Sequence, residues 1–264
     1  MKIGFKVWST NVDLFEAANE LYRSKKIDYI EMYIVPKSFD KSTLETLNLP
    51  IVIHNPHYGH GFNMSDVNLF DKNIRLFNET IKFADFFDSK DIIIHPGYGG
   101  DIQTCLRFLE KTDDPRIVIE NMPKRTHLGV DFVGYDFDSI KSLMNEKYGF
   151  CLDFAHAAKA AVSVGVDYKD YIKKLLKLKP KLFHLSDGNL DNEIDEHLNF
   201  GEGEFDIGFF RECIGTFPQA RGTLETPRDN MLTFNSDINN LKSLISLPND
   251  DCSVNFVEMR DKIP

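Results

Sequence analysis

The sequence has little of several features that define common classes of protein. It contains one tryptophan and four cysteines in 264 residues, and no two cysteines form a CxxC pair. We therefore expect reduced core thiols rather than a disulfide framework or a thiolate zinc site, at Cys105, Cys151, Cys213 and Cys252. No apolar run has the length of a signal peptide or a membrane span. These absences predict a cytoplasmic protein without a membrane partner.

Positive charge is also scarce. The chain has 31 lysines and arginines against 41 aspartates and glutamates, which gives a net charge of -10. Such a balance argues against a partner held by bulk electrostatics, such as nucleic acid or an anionic membrane. A local basic rim or bound divalent cations would offset this charge, so the charge alone does not decide the partner. The hydrophobic fraction of 42% is enough for one large core.

Short apolar runs recur along the chain, and a segment with helical periodicity follows each of them. Their spacing is that of successive βα units. Runs such as IIIH and IVIE are apolar on both faces, as is typical of parallel strands covered by helices. The predicted strands are Ile3–Trp8, Tyr29–Ile34, Ile51–His54, Ile92–His95, Ile117–Glu120, Phe150–Asp153, Leu182–Leu185 and Gly222–Glu225.

Capping residues predict where several of the helices begin. The predicted helices run from Asn11 or Asp13 through Tyr22, from Ser65 through Phe87, from Asp138 and Ser139 to Glu146, and from Asp206 through Phe217. An open doubly wound sheet would need a glycine fingerprint after the first strand, and GFKVWSTN has none. We therefore predict an α/β protein that forms a single (β/α)8 barrel, a TIM barrel, over residues 1–264.

Metal-ligand residue types recur at the carboxyl ends of the predicted strands, where barrel active sites form. They are His54, His95, Glu120, Asp153, His184 and Glu225, with His156 after the sixth strand and the pair Asp195 and His197 before the eighth. Taken singly, such a histidine is more often a hydrogen-bonded core residue, and such an acid is often a helix cap. Taken together, nine such groups in one barrel mouth would be costly to bury without cations. Imidazole with carboxylate suits zinc, manganese or iron, and nine ligands suit two or three ions.

The motifs around these residues resemble those of the endonuclease IV family, within the wider xylose-isomerase-like barrel superfamily. They are IVIHNPH, IIIHPGYGG, IVIEN, CLDFAHA, LFHLSD, IDEHLNFGEGEFD and TLETPR, from the third strand to the eighth. The resemblance implies a cluster of up to three zinc ions. By this resemblance His54, His95 and Glu120 would hold one ion. Asp153, His184 and Glu225 would hold a second, with Glu120 bridging, and His156, Asp195 and His197 a third.

The activity that this resemblance implies is metal-dependent cleavage of DNA on the 5′ side of an abasic site. A hydroxide that bridges two metals would attack the phosphorus, and Glu120 and Glu225 would be the catalytic carboxylates. The implied partner is damaged double-stranded DNA, and the implied state is a monomer. Residues in the loops after the strands are the candidates for substrate contacts, namely His57, Tyr58, Lys124, Arg125 and Arg228.

Two other functions remain open from the sequence. A sugar or sugar-phosphate isomerase or epimerase would need one divalent metal, held by the smaller set Glu120, Asp153, His184 and Glu225. A non-enzymatic barrel that binds nucleic acid would keep zinc in a structural role. The five additional ligands favour the phosphodiesterase, while His57 stands where endonuclease IV usually has a tyrosine. The number of metals per chain distinguishes the first two functions.

Overall fold

Eight parallel strands form a closed barrel in the computed structural model, which describes residues 1–246. Each strand pairs with the next one along the chain, and the eighth pairs with the first. The predicted α/β class and (β/α)8 architecture are therefore confirmed. The predicted extent of the domain to residue 264 and the predicted core position of Cys252 fall on residues outside the described part.

The strands are β1 Lys2–Trp8, β2 Tyr29–Tyr33, β3 Ile51–His54, β4 Ile92–Ile94, β5 Ile117–Glu120, β6 Gly149–Asp153, β7 Leu182–Leu185 and β8 Arg221–Leu224. The helices are α1 Phe15–Arg23, α2 Lys41–Leu44, α3 Phe70–Phe86, α4 Ile102–Thr112, α5 Phe137–Met144, α6 Phe154–Val164, α7 Tyr168–Leu176, α8 Ile207–Gly215 and α9 Asn235–Ser246. Short 3-10 turns lie at Val12–Leu14, Tyr58–His60 and Val67–Leu69. His95 and Glu225 each follow directly after a strand instead of ending it.

The helix starts agree with the sequence prediction at one position and differ at three. Asp206 caps α8, since its carboxylate accepts a hydrogen bond from the Phe209 amide at 3.0 Å. The predicted start at Ser65 is wrong: Asp66 caps a separate 3-10 turn, and α3 begins only at Phe70. Ser65 is buried, and its hydroxyl donates to the Tyr98 carbonyl instead.

The start of α5 also lies earlier than the sequence pattern predicts. Asp136 is the capping residue, and its Oδ1 accepts from the amides of Asp138 and Ser139. Asp138 and Ser139 therefore belong to the first turn of α5, and Asp136 caps their amides. At the first helix, Asn11 precedes the Val12–Leu14 turn without capping it, because its side chain accepts from the Trp8 amide.

The inside of the barrel is filled by one layer of apolar side chains with a polar layer above it. The apolar layer takes one residue from each of six consecutive strands, namely Tyr29, Val52, Ile93, Val118, Cys151 and Leu182. Alternate residues of a strand point to the same face, so the residue two positions further along also points inward. Those positions hold Glu31, His54, His95, Glu120, Asp153 and His184. Strand periodicity thus brings the predicted ligands to one height.

A glycine in β1 makes room for the largest side chain of the apolar layer. A Cβ atom at Gly4 would lie 2.5 Å from the ring of Tyr29, which belongs to the neighbouring strand. The Tyr29 hydroxyl reaches across to the Thr223 hydroxyl at 2.8 Å. Because the tyrosine side chain passes over β1 to reach β8, the inward position of β1 at Gly4 has no space for a side chain.

Gly4→Ala should lower the free energy of unfolding by about 1–3 kcal/mol, because the added methyl group must displace the Tyr29 ring. Urea unfolding followed by circular dichroism measures this loss. In a double-mutant cycle, Tyr29→Leu should relieve the clash, so the combined variant should lose less than the sum of the two single losses. Strictly additive losses would contradict the proposed contact.

Candidate metal centre

The nine ligands predicted from the sequence converge at the barrel mouth. In the part of the chain that the structure describes, five overlapping groups of three residues could each hold an ion, with one ligand atom per residue within 4.8 Å of the others, and three of these are the groups that the resemblance implies. The other two are Glu31 with His54 and Glu225, and Glu120 with Asp153 and His156. The three that match the resemblance are His54 with His95 and Glu120, Asp153 with His184 and Glu225, and His156 with Asp195 and His197. Nitrogen and carboxylate donors of this kind suit zinc, manganese or iron. Two buried atoms in the cluster, Nδ1 of His95 and Oδ1 of Asp195, have no hydrogen-bond partner among the described residues.

Glu120 lies between the first two groups. Its Oε2 atom is 3.2 Å from Nε2 of His54 and 2.9 Å from Nε2 of His95. Its Oε1 atom faces the other way, at 3.2 Å from Nδ1 of His184. The two oxygens of one buried carboxylate therefore serve different groups, which is the geometry that a bridging ligand needs.

The orientation of four histidine rings is set by an acceptor behind each ring. Main-chain carbonyls lie at hydrogen-bond distance from Nδ1 in three cases, at 2.8 Å for His54, 2.8 Å for His156 and 2.9 Å for His197. In the fourth case Nε2 of His184 lies 3.0 Å from Oε2 of Glu31. A ring that donates from one nitrogen presents the lone pair of the other to the cluster. When each of these four rings is neutral, its contact leaves the nitrogen that faces the cluster free to bind a metal.

Asp153 combines the two roles that the sequence left open for an acid at a strand end. Its Oδ1 atom caps α6 by accepting from the amide of His156 at 2.7 Å. Its Oδ2 atom faces the cluster, 3.8 Å from Nδ1 of His184. The side chain of Asn121 bonds to both the amide and the carbonyl of Asp153. Capping therefore fixes the carboxylate without using the oxygen that faces the cluster.

The loop between β7 and α8 carries the remaining two ligands, Asp195 and His197. Oδ2 of Asp195 is 2.7 Å from Nε2 of His197 and 3.5 Å from Nε2 of His156. The carboxylate of the buried Asp187 holds the base of this loop together. It accepts hydrogen bonds from four main-chain amides, those of Gly188, Gly201, Gly203 and Phe205. His197 has a φ of 49°, in the left-handed region that a non-glycine residue rarely adopts. The loop thus holds this ligand in a strained conformation.

Opposite charges favour the ionised form of Glu120 in the cluster, whereas burial raises the pKa of Asp153. Burial alone would raise the pKa of Glu120, but the imidazoles of His95 and His184 lower it well below its ordinary value. Burial likewise opposes the charged form of His156, yet the charges of Asp153 and Asp195 raise its pKa to about 10. Without a metal, the raised pKa values of His156, His184 and His197 favour imidazolium ions beside the carboxylates, while burial lowers the pKa of His54.

Two charged residues of the centre, Glu31 and Lys6, were missed by the sequence prediction. Glu31 is fully buried and accepts a hydrogen bond from the hydroxyl of Thr223 at 2.7 Å. Nζ of Lys6 contacts Glu225 and lies 3.4 Å from Oε1 of Glu31. Both stand in the middle of a strand, whereas the prediction considered strand ends. The signal in the sequence that could have identified them is a charged residue in the middle of an otherwise apolar strand.

The predicted substrate contacts lie around the cluster in different ways. His57, Tyr58 and Arg125 line a cavity of about 360 Å³ above the ligands. Lys124 does not line this cavity, and its amine lies 5.9 Å from the centre of the Tyr135 ring. The guanidinium of Arg228 is paired with Asp237 at 2.6 Å and bonded to the Lys6 carbonyl.

A second cleft reaches the cluster from the side of β1 and β8. Trp8, Met231 and Arg228 are among the residues that line it. It shares Lys6, His57, His197 and Glu225 with the first cavity. The two clefts therefore meet directly above the ligands.

The closed parallel barrel, with imidazoles and carboxylates at its strand ends, places the protein among the TIM barrels that carry a candidate metal centre. The family model described as xylose isomerase-like TIM barrel matches residues 27–244, and the chain belongs to this family. Membership and the relatives below indicate an enzyme. Within residues 1–246, no helix combines the length and the apolar character needed to cross a membrane.

The similar proteins include some named as endonucleases and some named as sugar epimerases. "Probable endonuclease 4" of Staphylococcus aureus (strain JH9) is 24% identical over 262 residues, which cover 86% of this chain and 88% of that protein. The solved structure of endonuclease IV from Thermus thermophilus matches with a TM-score of 0.70 at 19% identity, covering 92% of this chain and 97% of that one. A D-tagatose 3-epimerase-like protein matches with a TM-score of 0.69 at 18% identity, covering 93% and 97%. At these identities the two structures establish the fold.

Metal binding to the third group should release protons. The pKa of His156 is raised to about 10, and the pKa of His197 to about 9 by Asp195 in spite of burial. Both rings are therefore protonated at pH 7 without metal, and a ligand must be neutral. We expect release of about two protons at pH 7 and an affinity that rises with pH until both pKa values are passed. Calorimetry in buffers of different ionisation enthalpy measures the release, and zero release at pH 7 would contradict ligation by rings that are protonated before the metal binds.

Glu31→Gln should weaken metal binding at the group that contains His184. The amide cannot hold the ring as the carboxylate does, and losses of roughly 10–100-fold are typical when such a partner is removed. A competition titration with a chromophoric chelator measures the affinity. Glu20→Gln, on the exposed side of α1, is the matched control and should change nothing. Equal affinities for the two variants would show that Glu31 does not orient the ligand.

Proposed function

We propose that this protein is a zinc-dependent phosphodiesterase of the endonuclease IV type, which cleaves DNA 5′ to abasic sites. The observation that carries the proposal is the third ligand group, His156 with Asp195 and His197. A single-metal enzyme would need only the four residues Glu120, Asp153, His184 and Glu225. Five further ligands, brought together from strands, a helix and a loop, have a chemical purpose if the reaction uses several metals.

Phosphodiester hydrolysis fits the chemistry of the centre. Two or three zinc ions would activate a water molecule and neutralise the charge that develops on the phosphate. Glu120, with one oxygen facing each of the first two groups, would be a ligand in both. Glu225 is largely buried and ionised, because His184 and Lys6 lower its pKa against the effect of burial. These two carboxylates would accept hydrogen bonds from the attacking water and orient it toward phosphorus.

The shape and charge of the barrel mouth also support a substrate longer than a single sugar. A strand of DNA could cross the cluster by occupying both clefts, with its phosphate above the shared residues Lys6 and His57. Arg125 at the rim and bound divalent ions would offset the net negative charge of the chain. Trp8 and Tyr58 are half-exposed aromatic rings, one in each cleft, and would stack on bases. We propose a monomer acting in the cytoplasm.

A sugar or sugar-phosphate isomerase or epimerase is the second candidate. It is favoured by one observation, the cavity of about 360 Å³, which has the size of a small-molecule site. One divalent metal on Glu120, Asp153, His184 and Glu225 would polarise the sugar, and these carboxylates would move a proton between adjacent carbons. In this case the third ligand group would have no role in the reaction.

The zinc-loaded protein should cut a DNA duplex that contains a tetrahydrofuran abasic analogue, on the 5′ side of the lesion. Asp195→Asn should lower the rate by roughly 10–100-fold, because it removes charge from the third group. A gel assay with a labelled duplex measures both rates, and an undamaged duplex of the same sequence is the substrate control. Lys173→Met, an exposed change on α7, is the protein control.

The same preparation tests the second candidate. Elemental analysis of zinc-loaded protein should find three metals per chain for the phosphodiesterase. A single tightly held metal, with no cleavage of the abasic duplex and with epimerisation of a sugar phosphate, would overturn the proposal in favour of the second candidate.

A further inference from the structure

The third ligand group is assembled from two separate parts of the chain. His156 projects from α6, whereas Asp195 and His197 lie on the loop between β7 and α8. The ligands of the other two groups stand at or next to strand ends, where the barrel itself fixes them. A metal site tolerates only small errors in ligand position. Some contact must therefore hold the loop at a fixed place relative to the helix.

Lys159 provides a contact of this kind. It stands three residues after His156 on α6 and is completely buried, in a stretch of helix that is otherwise largely apolar. Its amine donates to Oε2 of Glu196 at 2.7 Å, to the carbonyl of Asn189 at 2.7 Å and to Oδ1 of Asn192 at 3.1 Å. All three acceptors belong to the loop that carries the ligands. One buried cation thus joins the helix to the loop.

Glu196 is the residue between the two ligands of the loop. Besides the amine of Lys159, its carboxylate accepts from the main-chain amide of Asn189 at 2.9 Å and from the side-chain amide of Asn192 at 3.1 Å. Asp195 and His197 adjoin it directly in the chain. Fixing the side chain of Glu196 therefore fixes the backbone from which both ligands project.

The other anchor of the loop acts on a different segment. The carboxylate of Asp187 accepts from the amides of Gly188 and of three residues that follow His197 in the chain. The segment 189–196 is instead attached to α6 by Lys159. The two anchors together bracket the ligand pair, and the Lys159 contact is the one that links it to the helix of His156.

We propose that the Lys159–Glu196 pair is a positioning device that assembles the third metal site and sets its affinity. This inference rests on the three-metal centre proposed above. Lys159 is fully buried while Glu196 is partly exposed, and burying a charge in such a pair is often no more stabilising than burying apolar residues of similar volume. The need to place the ligand-bearing loop correctly explains the burial of Lys159 better than a gain in folding stability does. The first two sites, with ligands at or next to strand ends, should not depend on the pair.

Metal counting on variants of the pair tests the proposal. Lys159→Met removes the amine and keeps the length of the side chain, and Glu196→Gln removes the charge and keeps the shape. Each should bind two metals per chain after gel filtration, with the affinity of the weakest site reduced by roughly 10–100-fold. Lys159→Arg, which keeps a cation, should retain more of this affinity than Lys159→Met. Elemental analysis and chelator competition measure count and affinity without reference to activity.

A matched control removes an ion pair elsewhere. Arg116, just before β5 at the opposite end of the barrel, pairs with Asp114 at 2.7 Å and with Asp85 at 2.8 Å. Arg116→Met should keep all three metals even if it lowers the melting temperature. If Lys159→Met fails to fold by circular dichroism, the count for Glu196→Gln decides the question.

The outcomes separate this inference from the proposed function. Three metals in the wild type and two in His156→Ala establish the third site. Three metals at unchanged affinity in folded variants of the Lys159–Glu196 pair would then overturn the positioning role alone. Fewer than three metals in the wild type, with no further loss in His156→Ala, would overturn the three-metal centre and this inference with it.

Discussion

Burial of several carboxylates in the closed mouth of the barrel is the constraint on which the rest of the structure depends. Glu31, Glu120, Asp153 and Glu225 share a space that six inward-facing apolar residues close from below. Ionised carboxylates so close together are costly to bury unless cations neutralise them. In the described structure, imidazoles of the cluster and the amine of Lys6 supply these positive charges. The same donors are the ligands that divalent metals prefer, so the electrostatic need of the fold and the chemistry of the site coincide.

The centre combines a rigid part with a part that depends on a loop. Ligands at or next to strand ends form two groups, and their positions follow from barrel geometry and from partners such as Asn121 and Glu31. The third group needs α6 and the loop before α8 to meet, with His197 in a strained backbone conformation. The rigid part would be sufficient for one-metal chemistry on a sugar. The loop is the element on which multi-metal hydrolysis would depend.

Much of the fold and the ligand set was predictable because it follows from local patterns. Apolar runs with polar ends predicted eight strands, and the ligands follow the inner apolar layer by two residues. Helix starts were less predictable: Asp66 caps a separate turn before α3, and Asp136 caps α5 two residues before the predicted Asp138. Neighbouring Ser and Asp residues offer competing caps, and the choice depends on how the loop before the helix packs.

The sequence by itself determined the strand periodicity and the placing of imidazoles and carboxylates at strand ends, since both are properties of a few consecutive residues. Only the tertiary structure decided which nitrogen of each histidine faces the cluster. It also decided that Glu31 would lie behind His184, that Lys6 would contact Glu225, and that Lys159 would hold the loop through Glu196. Each of these contacts joins residues far apart in the chain. They form only when the barrel closes and the loop folds over it, so no local pattern specifies them.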